Sequence, residues 1–468
     1  MSHDAVRTLL PYAGWSEEYA RTATFTGGAD PVLPTSFRLG ETSAATLAAV
    51  GLAAAELWTL RTGREQTVTV DARQSTASLR SSKYLRVDGE PGKPEHNEVM
   101  GFFPAKNGRW SYLHCNFPHH RAAAMRVLGT PEKRDAVLKA VAQWDAFELE
   151  EAIFAAGGAG GMVRSMQEWA QHPQGAAIAS LPLMEIFKIG DSAPEKLPHG
   201  DRPLSGIRVL DMTRVIAGPT CARTIAEHGA DVLKITAPHL PSLGYQEFET
   251  GLGKLSAHLD LRVAKDFETM QGLIRESDIF VQGYRPGTLA ARGLSPEALA
   301  QLRPGIVCVS LSAFSHIGPW ASRRGFDTAV QAVSGIALRQ GALFPGAEPG
   351  PQFYPASAVD YLTGYLMAFG AMVALARRTR EGGSWMVRIS LAQVGRWLIN
   401  RGEIPDAALK GIPKEFTAEE LERWSMASDS PAAKLQHFKP VVQMSETMPR
   451  WTRPAVPLGY HKAVWPAR

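Results

Sequence analysis

Cysteine is scarce in this chain of 468 residues, and the spacing of its three cysteines indicates no special role. Cys115, Cys221 and Cys308 lie far apart, without a CxxC pair or a Cys/His pattern that would hold zinc or form a redox centre. The sequence therefore predicts no metal site. We expect free, buried thiols in the reducing environment of the cytoplasm.

Excess charge and long apolar runs are also missing. The 50 basic and 46 acidic residues leave a formal charge of +4, which does not indicate a nucleic-acid partner but suits a phosphorylated small ligand. The N-terminus lacks the basic-then-apolar pattern of a signal peptide, and no apolar run of membrane length is uninterrupted. We therefore expect a cytoplasmic protein of two or three domains that does not enter a membrane.

The clearest pattern lies in residues 205–234. An apolar run at 207–210 leads into a polar break, a helical stretch at 220–228 and a second strand at 231–235. This is a βαβ unit, and ligands of such folds bind at the carboxyl ends of the strands, here around residues 214–218. The GxGxxG pattern of a nicotinamide-binding turn is absent, so the unit does not predict that cofactor.

Further strand-like segments follow at 279–282 and 306–311, with helical segments between them. The alternation predicts an open, mostly parallel sheet. A long buried helix over 360–378 follows the last of these strands. Beyond residue 400 the pattern fades, and the tail reads as an extended arm packed on a surface.

The first part of the chain has a different pattern. A buried helix is expected over 44–61, and a polar, Gly/Pro-rich linker over 88–98. An Asn-Gly turn between aromatic-rich runs predicts a β-hairpin over 99–116. The clearest domain boundary falls at 189–204.

Two local motifs in this part are best explained by structural roles rather than by ligand binding. His119 and His120 could belong to a metal site only with further ligands that their neighbourhood lacks, so we expect solvated or helix-capping side chains. The glycine-rich run 155–161 could cradle a phosphate, but the Lys-Ser/Thr of a P-loop is missing. A turn leading into another helix is the favoured interpretation.

One segment of the chain is repeated. Residues 51–74 align without gaps on residues 370–393, each running from a helix rich in small residues through a basic turn into a β-like stretch. In this register Glu41 falls opposite Asp360. We interpret Glu41 as a structural remnant, because the strand and turn motifs around Asp360 are absent from the first copy.

Several motifs resemble the family III CoA-transferases, which include formyl-CoA transferase, carnitine CoA-transferase and the related α-methylacyl-CoA racemase. They are LSGIRVLDMTRVIAGPTCARTIAEHGADVLKI, VQGYRPG, LAARGLS, GIVCVSLSAFSHIGP and RRGFDTAVQAVSG. Residues 204–398 resemble the Rossmann-like N-terminal half of the family, and residues 44–189 resemble the part that normally follows it. The domain order is thus permuted.

The resemblance implies an α/β fold with a Rossmann-like open parallel sheet domain, a smaller α+β domain and extended linkers. We divide the chain into an N-terminal helical segment and linker (1–86), a small α+β domain (87–200), a Rossmann-like CoA-binding and catalytic domain (201–400) and an extended C-terminal arm (401–468). The resemblance also implies acyl-CoA and a small carboxylic acid as substrates, no permanently bound cofactor, and a homodimer whose intertwining the permutation could alter.

Asp360 matches the aspartate that attacks the thioester in this family. Its position also suits a plain N-cap ahead of an apolar helix. The two roles are compatible, since a helix N-terminus favours an ionised carboxylate.

The resemblance also implies a set of CoA contacts. They are Val215, Ile216, Ala217, Gly283, Tyr284 and Arg324, with Lys254 and Arg292 as candidates for a phosphate. An ordinary surface charge is the alternative for each basic residue. Where formyl-CoA transferase has two adjacent basic residues this chain has Lys254-Leu255, and the usual Asn of the turn is Gly283, so the phosphate contacts are open.

Two other activities are considered. A racemase of this superfamily would have a histidine in a Gly-His-Asp motif as a base for the α-carbon, but this chain has Gly325-Phe326-Asp327, and His316 lies outside the motif. Phenylalanine cannot accept a proton, so a transferase is favoured. The third possibility is a catalytically degenerate protein that still binds CoA.

Overall fold

The computed structural model describes residues 4–92, 97–346 and 349–467. Within these residues the largest sheet has seven strands. From one edge to the other they are Lys254–His258, Asp231–Thr236, Arg208–Met212, Ile279–Gln282, Val307–Ser312, Ser384–Ser390 and Glu185–Gly190. All run parallel except Glu185–Gly190, which pairs antiparallel at one edge.

The parallel strands have the 3-2-1-4-5-6 order of a Rossmann fold, as the resemblance implied. The order reverses between Arg208–Met212 and Ile279–Gln282, so a crevice for ligand opens at the carboxyl ends of these two strands. All four strands that the apolar runs predict are present. Strands Lys254–His258 and Glu185–Gly190 were not predicted, because their exposed or polar side chains hide them.

Helices cover both faces of this sheet. In chain order they are Ala217–Glu227, Tyr245–Thr250, Ala264–Arg275, Pro296–Leu302, Asp327–Val333, Ile336–Leu343, Ala358–Glu381 and Leu391–Asn400, with a 3₁₀ turn at Ala290–Arg292. The buried helix Ala358–Glu381 packs against Ala217–Glu227. The two approach so closely that a Cβ at Gly364 would lie 2.4 Å from the Ala217 carbonyl oxygen, which explains the glycine there.

The N-terminal part is built around a second long helix, Leu39–Thr62, which packs against Ala358–Glu381. Around it lie the short helices Asp4–Arg7, Leu10–Ala13, Glu17–Ala20, Ala72–Ser78 and Ser81–Tyr84, and the strands Ala23–Thr26, Val68–Asp71, Arg86–Val87 and Glu90–Pro91. Both long helices are apolar and long enough to span a membrane, but they are largely or wholly buried inside the fold. Part of the linker predicted at 88–98, residues 93–96, lies outside the described residues.

The small domain contains the predicted hairpin, with strands Gly101–Pro104 and Trp110–Leu113. Asn107 and Gly108 occupy its turn with φ values of 60° and 70°, the left-handed region that these residue types tolerate. A third strand, Gly160–Met162, completes the sheet. The helices are Pro118–Leu128, Arg134–Val141, Ala146–Ala155, Met166–Gln171 and Pro173–Ala179.

The C-terminal tail is more regular than predicted. It contains a 3₁₀ turn at Asp406–Leu409, the helix Ala418–Trp424 and the strands Ser425–Asp429, Lys434–Phe438 and Gln443–Met444. Its last part runs along the edge strand of the large sheet, where the His461 N–H donates to the Ser256 carbonyl at 2.7 Å. The tail thereby covers an edge that would otherwise be open to other chains.

Candidate active site

Asp360 is the third residue of the helix Ala358–Glu381. The prediction that it caps the helix is wrong, because the N-cap position is occupied by Ser357. Asp360 is a buried residue, only 6% exposed. Its backbone N–H donates to Oδ2 of Asp327 at 3.0 Å. Two carboxyl groups thus lie in one buried region at the start of two helices.

The ionised forms of Asp327 and Asp360 are both disfavoured. Burial raises the pKa of Asp360 well above its usual value, and the negative charge of Asp327 raises it further. Burial also raises the pKa of Asp327 to about 6. Burial and the neighbouring charge thus oppose the expected effect of the helix N-terminus, which favours an ionised Asp360.

Asp360 lies at a cavity of about 260 Å³ between the two domains. The cavity is at the carboxyl ends of the strands Arg208–Met212, Ile279–Gln282 and Val307–Ser312, as the βαβ pattern predicted. One wall comes from the small domain. The lining residues are Phe117, His119, His120, Met212, Arg214, Val215, Ala217, Gly283, Tyr284, Arg285, Pro286, Thr288, Leu311, Ser312, Ala313, Arg323, Arg324, Gly325, Phe326, Asp360 and Leu391.

Most of the predicted site residues meet at this cavity. Val215, Ala217, Gly283, Tyr284 and Arg324 line it together with Asp360. Ile216, the remaining member of the first turn, is buried and does not line the cavity.

Val215 has a strained backbone just before the start of the helix Ala217–Glu227. Its φ of 72° is in the left-handed region, which a β-branched side chain rarely adopts. The strained turn brings Val215 and Ala217 to the cavity at the positive end of the helix dipole. Strain of this kind concentrates at functional sites.

Lys254 is not at the cavity, and this corrects the predicted phosphate contact. The residue is 1% exposed, and its Nζ donates to Oδ2 of Asp211 and to the Pro219 carbonyl, each at 2.7 Å. Burial lowers the pKa of Lys254 to about 8, against the opposing effect of Asp211. These bonds join the strand Lys254–His258 to the strand Arg208–Met212 and to the helix Ala217–Glu227.

Arg292 lies in an adjoining cavity of about 160 Å³. This second cavity shares Met212, Tyr284 and Thr288 with the one at Asp360, so the two form neighbouring compartments. The Arg292 guanidinium donates to the Leu261 carbonyl at 3.4 Å and has ample exposure for a further ligand.

Three arginines at the cavity were not among the predicted site residues, and one of them, Arg323, pairs with Glu151. Arg214 donates to the Pro241 carbonyl and lies 5.2 Å from the ring centre of Phe117, while Arg285 donates to the Ser322 carbonyl. Within the described residues, neither the guanidinium groups of Arg214 and Arg285 nor that of Arg324 pairs with a carboxylate. Arg214 and Arg285 each follow the carboxyl end of a strand, a position that could have revealed them.

The prediction of a solvated or helix-capping role is wrong for His120. This residue is 3% exposed, and it lies inside the first turn of Pro118–Leu128, where no side chain caps the helix. His119 is exposed, but it too lines the cavity. Among the described residues, no group of three or more potential ligands is placed to hold a metal ion.

The first copy of the repeat has the same backbone arrangement, but its carboxyl group does not line the cavity at Asp360. Glu41 is the third residue of Leu39–Thr62, and its N–H donates to Asp30 at 2.8 Å, just as the Asp360 N–H donates to Asp327. The Glu41 carboxylate, however, accepts from Arg401 at 3.0 Å. The carboxylate of the first copy is thus occupied by an ion pair.

Comparison with known proteins decides the family. The sequence model of CoA-transferase family III matches residues 19–188 and 204–402, which is most of the chain. The chain belongs to CoA-transferase family III. It is therefore an enzyme of the class that transfers CoA between acids, and its mixed α/β architecture is that of the family.

Named relatives of this family III enzyme share moderate identity with it. "Acetyl-coenzyme A transferase nodX" of Hypoxylon pulicicidum is 26% identical over 82% of this chain and 72% of that protein. "Succinyl-CoA--D-citramalate CoA-transferase" of Chloroflexus aurantiacus is 30% identical over 50% of this chain and 60% of that protein. A crystal structure of the hypothetical protein Rv3272 from Mycobacterium tuberculosis is 30% identical, with a TM-score of 0.39, over 43% of this chain and 59% of that one.

Proposed function

We propose that Asp360 is the nucleophile through which this enzyme moves CoA from an acyl-CoA donor to a small carboxylic acid. The observation that carries the proposal is the position of the Asp360 carboxyl, buried at the cavity where the carboxyl ends of the parallel strands meet. No other carboxylate lines this cavity in the described part of the chain.

The chemistry needs only a carboxylate, because a thioester carbonyl is activated and expels a good leaving group. Attack by the Asp360 carboxylate forms a mixed anhydride and releases the CoA thiolate. The thiolate then attacks the aspartyl carbonyl, which frees the donor acid and leaves CoA on Asp360 as a thioester. An acceptor carboxylate repeats the exchange in reverse and leaves with CoA.

The surroundings of Asp360 suit these steps. Its raised pKa makes the ionised form more basic and hence a better nucleophile, while lowering the fraction that is ionised. The guanidinium groups of Arg214, Arg285 and Arg324 line the same cavity and attract both acidic substrates. The small domain packs against the sheet and forms one wall of the cavity. This wall limits the access of water to Asp360, where water would hydrolyse an anhydride.

We propose that CoA lies across the carboxyl ends of the strands and extends from the cavity at Asp360 into the adjoining cavity. Its pantetheine arm lies along Val215, Ala217 and Tyr284, which line the cavity at Asp360, and its nucleotide reaches the adjoining cavity beside Arg292. Arg324 is the candidate for a phosphate on the opposite rim. The shared lining of the two cavities supports one continuous ligand.

The structure gives the racemase alternative no imidazole in the Gly-Phe-Asp motif. The Phe326 ring lines the cavity in the place where that mechanism needs a proton acceptor, and it stacks on His114 at 3.8 Å between ring centres. A transferase therefore remains the better interpretation. The homodimer predicted from the resemblance stays a prediction.

The covalent mechanism is tested by trapping. The wild-type enzyme is incubated with a panel of acyl-CoA donors, quenched with hydroxylamine or borohydride, and examined by intact-protein and peptide mass spectrometry. We expect a modification on the peptide that contains Asp360 with at least one donor. CoA binding without any adduct, across the whole panel, would contradict the mechanism and favour a degenerate CoA-binding protein.

The carboxyl pair predicts a pH dependence for kcat/KM. Asp360 reacts when ionised, so kcat/KM should fall as the pH is lowered through its pKa. Because that pKa is raised, this acid limb of the profile should lie at a pH well above the pKa of an ordinary aspartate. Asp327→Asn removes the negative neighbour, lowers the Asp360 pKa and moves the acid limb to lower pH. Profiles of kcat/KM against pH for both forms measure the shift, and a limb that stays in place would exclude Asp327 as a source of the perturbation.

A further inference from the structure

His120 is an unusual component of the cavity wall. It is 3% exposed, yet both ring nitrogens, Nδ1 and Nε2, are without a hydrogen-bond partner among the described residues. Burying an imidazole in this way costs stability, because its nitrogens lose their bonds to water. His120 lines the same cavity as Asp360, and although neither nitrogen is exposed there, a ligand in the cavity can supply the missing partner once the ring turns toward it.

Aromatic rings hold the imidazole in place. The ring centres of His119, Phe326 and Phe117 lie 4.1, 5.6 and 5.7 Å from that of His120. These ring contacts surround the imidazole without using its nitrogens. Phe326 directly precedes Asp327, whose carboxylate accepts the Asp360 N–H, so His120 and Asp360 are tied to the same short segment.

The imidazole is neutral at physiological pH. Burial lowers the pKa of His120 to about 3, and the nearby His119, Arg324 and Arg214 lower it too. A neutral imidazole has one N–H donor and one acceptor nitrogen. It cannot bind as a cation, and it is a poor base, so its use to a substrate is a directed hydrogen bond.

We propose that His120 donates a hydrogen bond to the acyl carbonyl oxygen of the thioester held against Asp360. The inference rests on the proposed function, since it concerns the step in which Asp360 attacks that carbonyl. Negative charge develops on this oxygen as the carboxylate adds, and a fixed donor in a site with little water stabilises it. With the CoA arm along Val215 and Tyr284, as proposed above, the small-domain residues of the cavity are left to the acyl group.

The test compares three variants with the wild type. His120→Phe keeps the ring but removes both nitrogens, and His120→Gln keeps a donor. His228→Phe is the matched control, because His228 is also buried with both nitrogens unpartnered and does not line the cavity. Each protein is examined for its melting temperature, its dissociation constant for free CoA and its rate of forming the trapped adduct on Asp360.

We expect His120→Phe to slow acylation of Asp360 by about 10²-fold or more, with the affinity for free CoA changed by less than about twofold. His120→Gln recovers part of the rate, and His228→Phe acylates like the wild type. If His120→Phe acylates Asp360 at the wild-type rate, the assignment of His120 is overturned but the proposed function is not. The same holds if the variant loses affinity for free CoA by the same factor as it loses acylation rate. No adduct in the wild type would instead overturn the proposed function.

A spectroscopic measurement covers the case in which His120→Phe does not fold. In Asp360→Asn protein, which cannot be acylated, the ¹⁵N resonances of the His120 imidazole are followed by NMR during titration with acyl-CoA and with free CoA. Acyl-CoA is expected to shift the protonated nitrogen, whereas free CoA leaves it in place. Equal shifts with both ligands would assign His120 to the CoA arm and overturn the proposal.

Discussion

Asp360→Asn is expected to lower kcat for CoA transfer by about 10⁴-fold or more, since an amide cannot form the anhydride. The substitution keeps the backbone N–H that bonds to Asp327 and nearly preserves the volume of the side chain. It also removes a buried carboxyl group whose ionised form is disfavoured by burial and by Asp327, so the melting temperature should stay level or rise. Steady-state kinetics with a donor that labels the wild type, alongside a thermal melt, measures both effects.

Glu41→Gln is the matched control for this substitution. Glu41 occupies the same helix position in the first copy of the repeat, but it pairs with Arg401 and does not line the cavity. Activity within about twofold of the wild type is expected, with a small loss of stability from the partly exposed ion pair. Comparable losses of activity in the two variants would refute the assignment of Asp360 as nucleophile.

Lys254→Met should lower the free energy of unfolding by about 3–5 kcal/mol. The substitution removes the cation from a fully buried pair and leaves Asp211 charged inside the sheet without its partner. Asp211 would keep only its local bonds to Thr213. Urea denaturation at neutral pH measures the loss, and KM for acyl-CoA in the folded protein is expected to remain close to that of the wild type.

Lys188→Met is the comparison for this effect. Lys188 pairs with Asp191 at 2.8 Å, but both side chains are exposed, so the expected loss of stability is much smaller than for Lys254→Met. If Lys254→Met instead raised KM for acyl-CoA about tenfold while leaving stability unchanged, the predicted phosphate contact would be reinstated.

The sequence predicted those parts of the fold that depend on local patterns. The apolar runs at 207–210 and 279–282 became neighbouring strands, the Asn107-Gly108 pair formed the hairpin turn, and the apolar stretch after Asp360 became a buried helix. In each case the side-chain period and the turn residue determine the local structure. The edge strand Glu185–Gly190 lacks such a pattern, because it is partly exposed on both faces.

The site was harder to predict because its properties depend on contacts between distant segments. Lys254 is a plausible surface cation until its contact with Asp211, far away in sequence, buries it. His120 looks like a solvated helix residue until the small domain packs onto the sheet beside Phe326. The raised pKa of Asp360 likewise arises from burial and from Asp327. None of these environments is visible in the residues on either side.

Phe117, His119 and His120 reach the cavity from the small domain, while Asp360 and the strand ends reach it from the large one, and all belong to the same polypeptide. Every group proposed to touch the reacting atoms is thus supplied by a single molecule. If no group from a second molecule completes the site, turnover per molecule should stay constant on dilution, even below the concentration at which a dimer would dissociate.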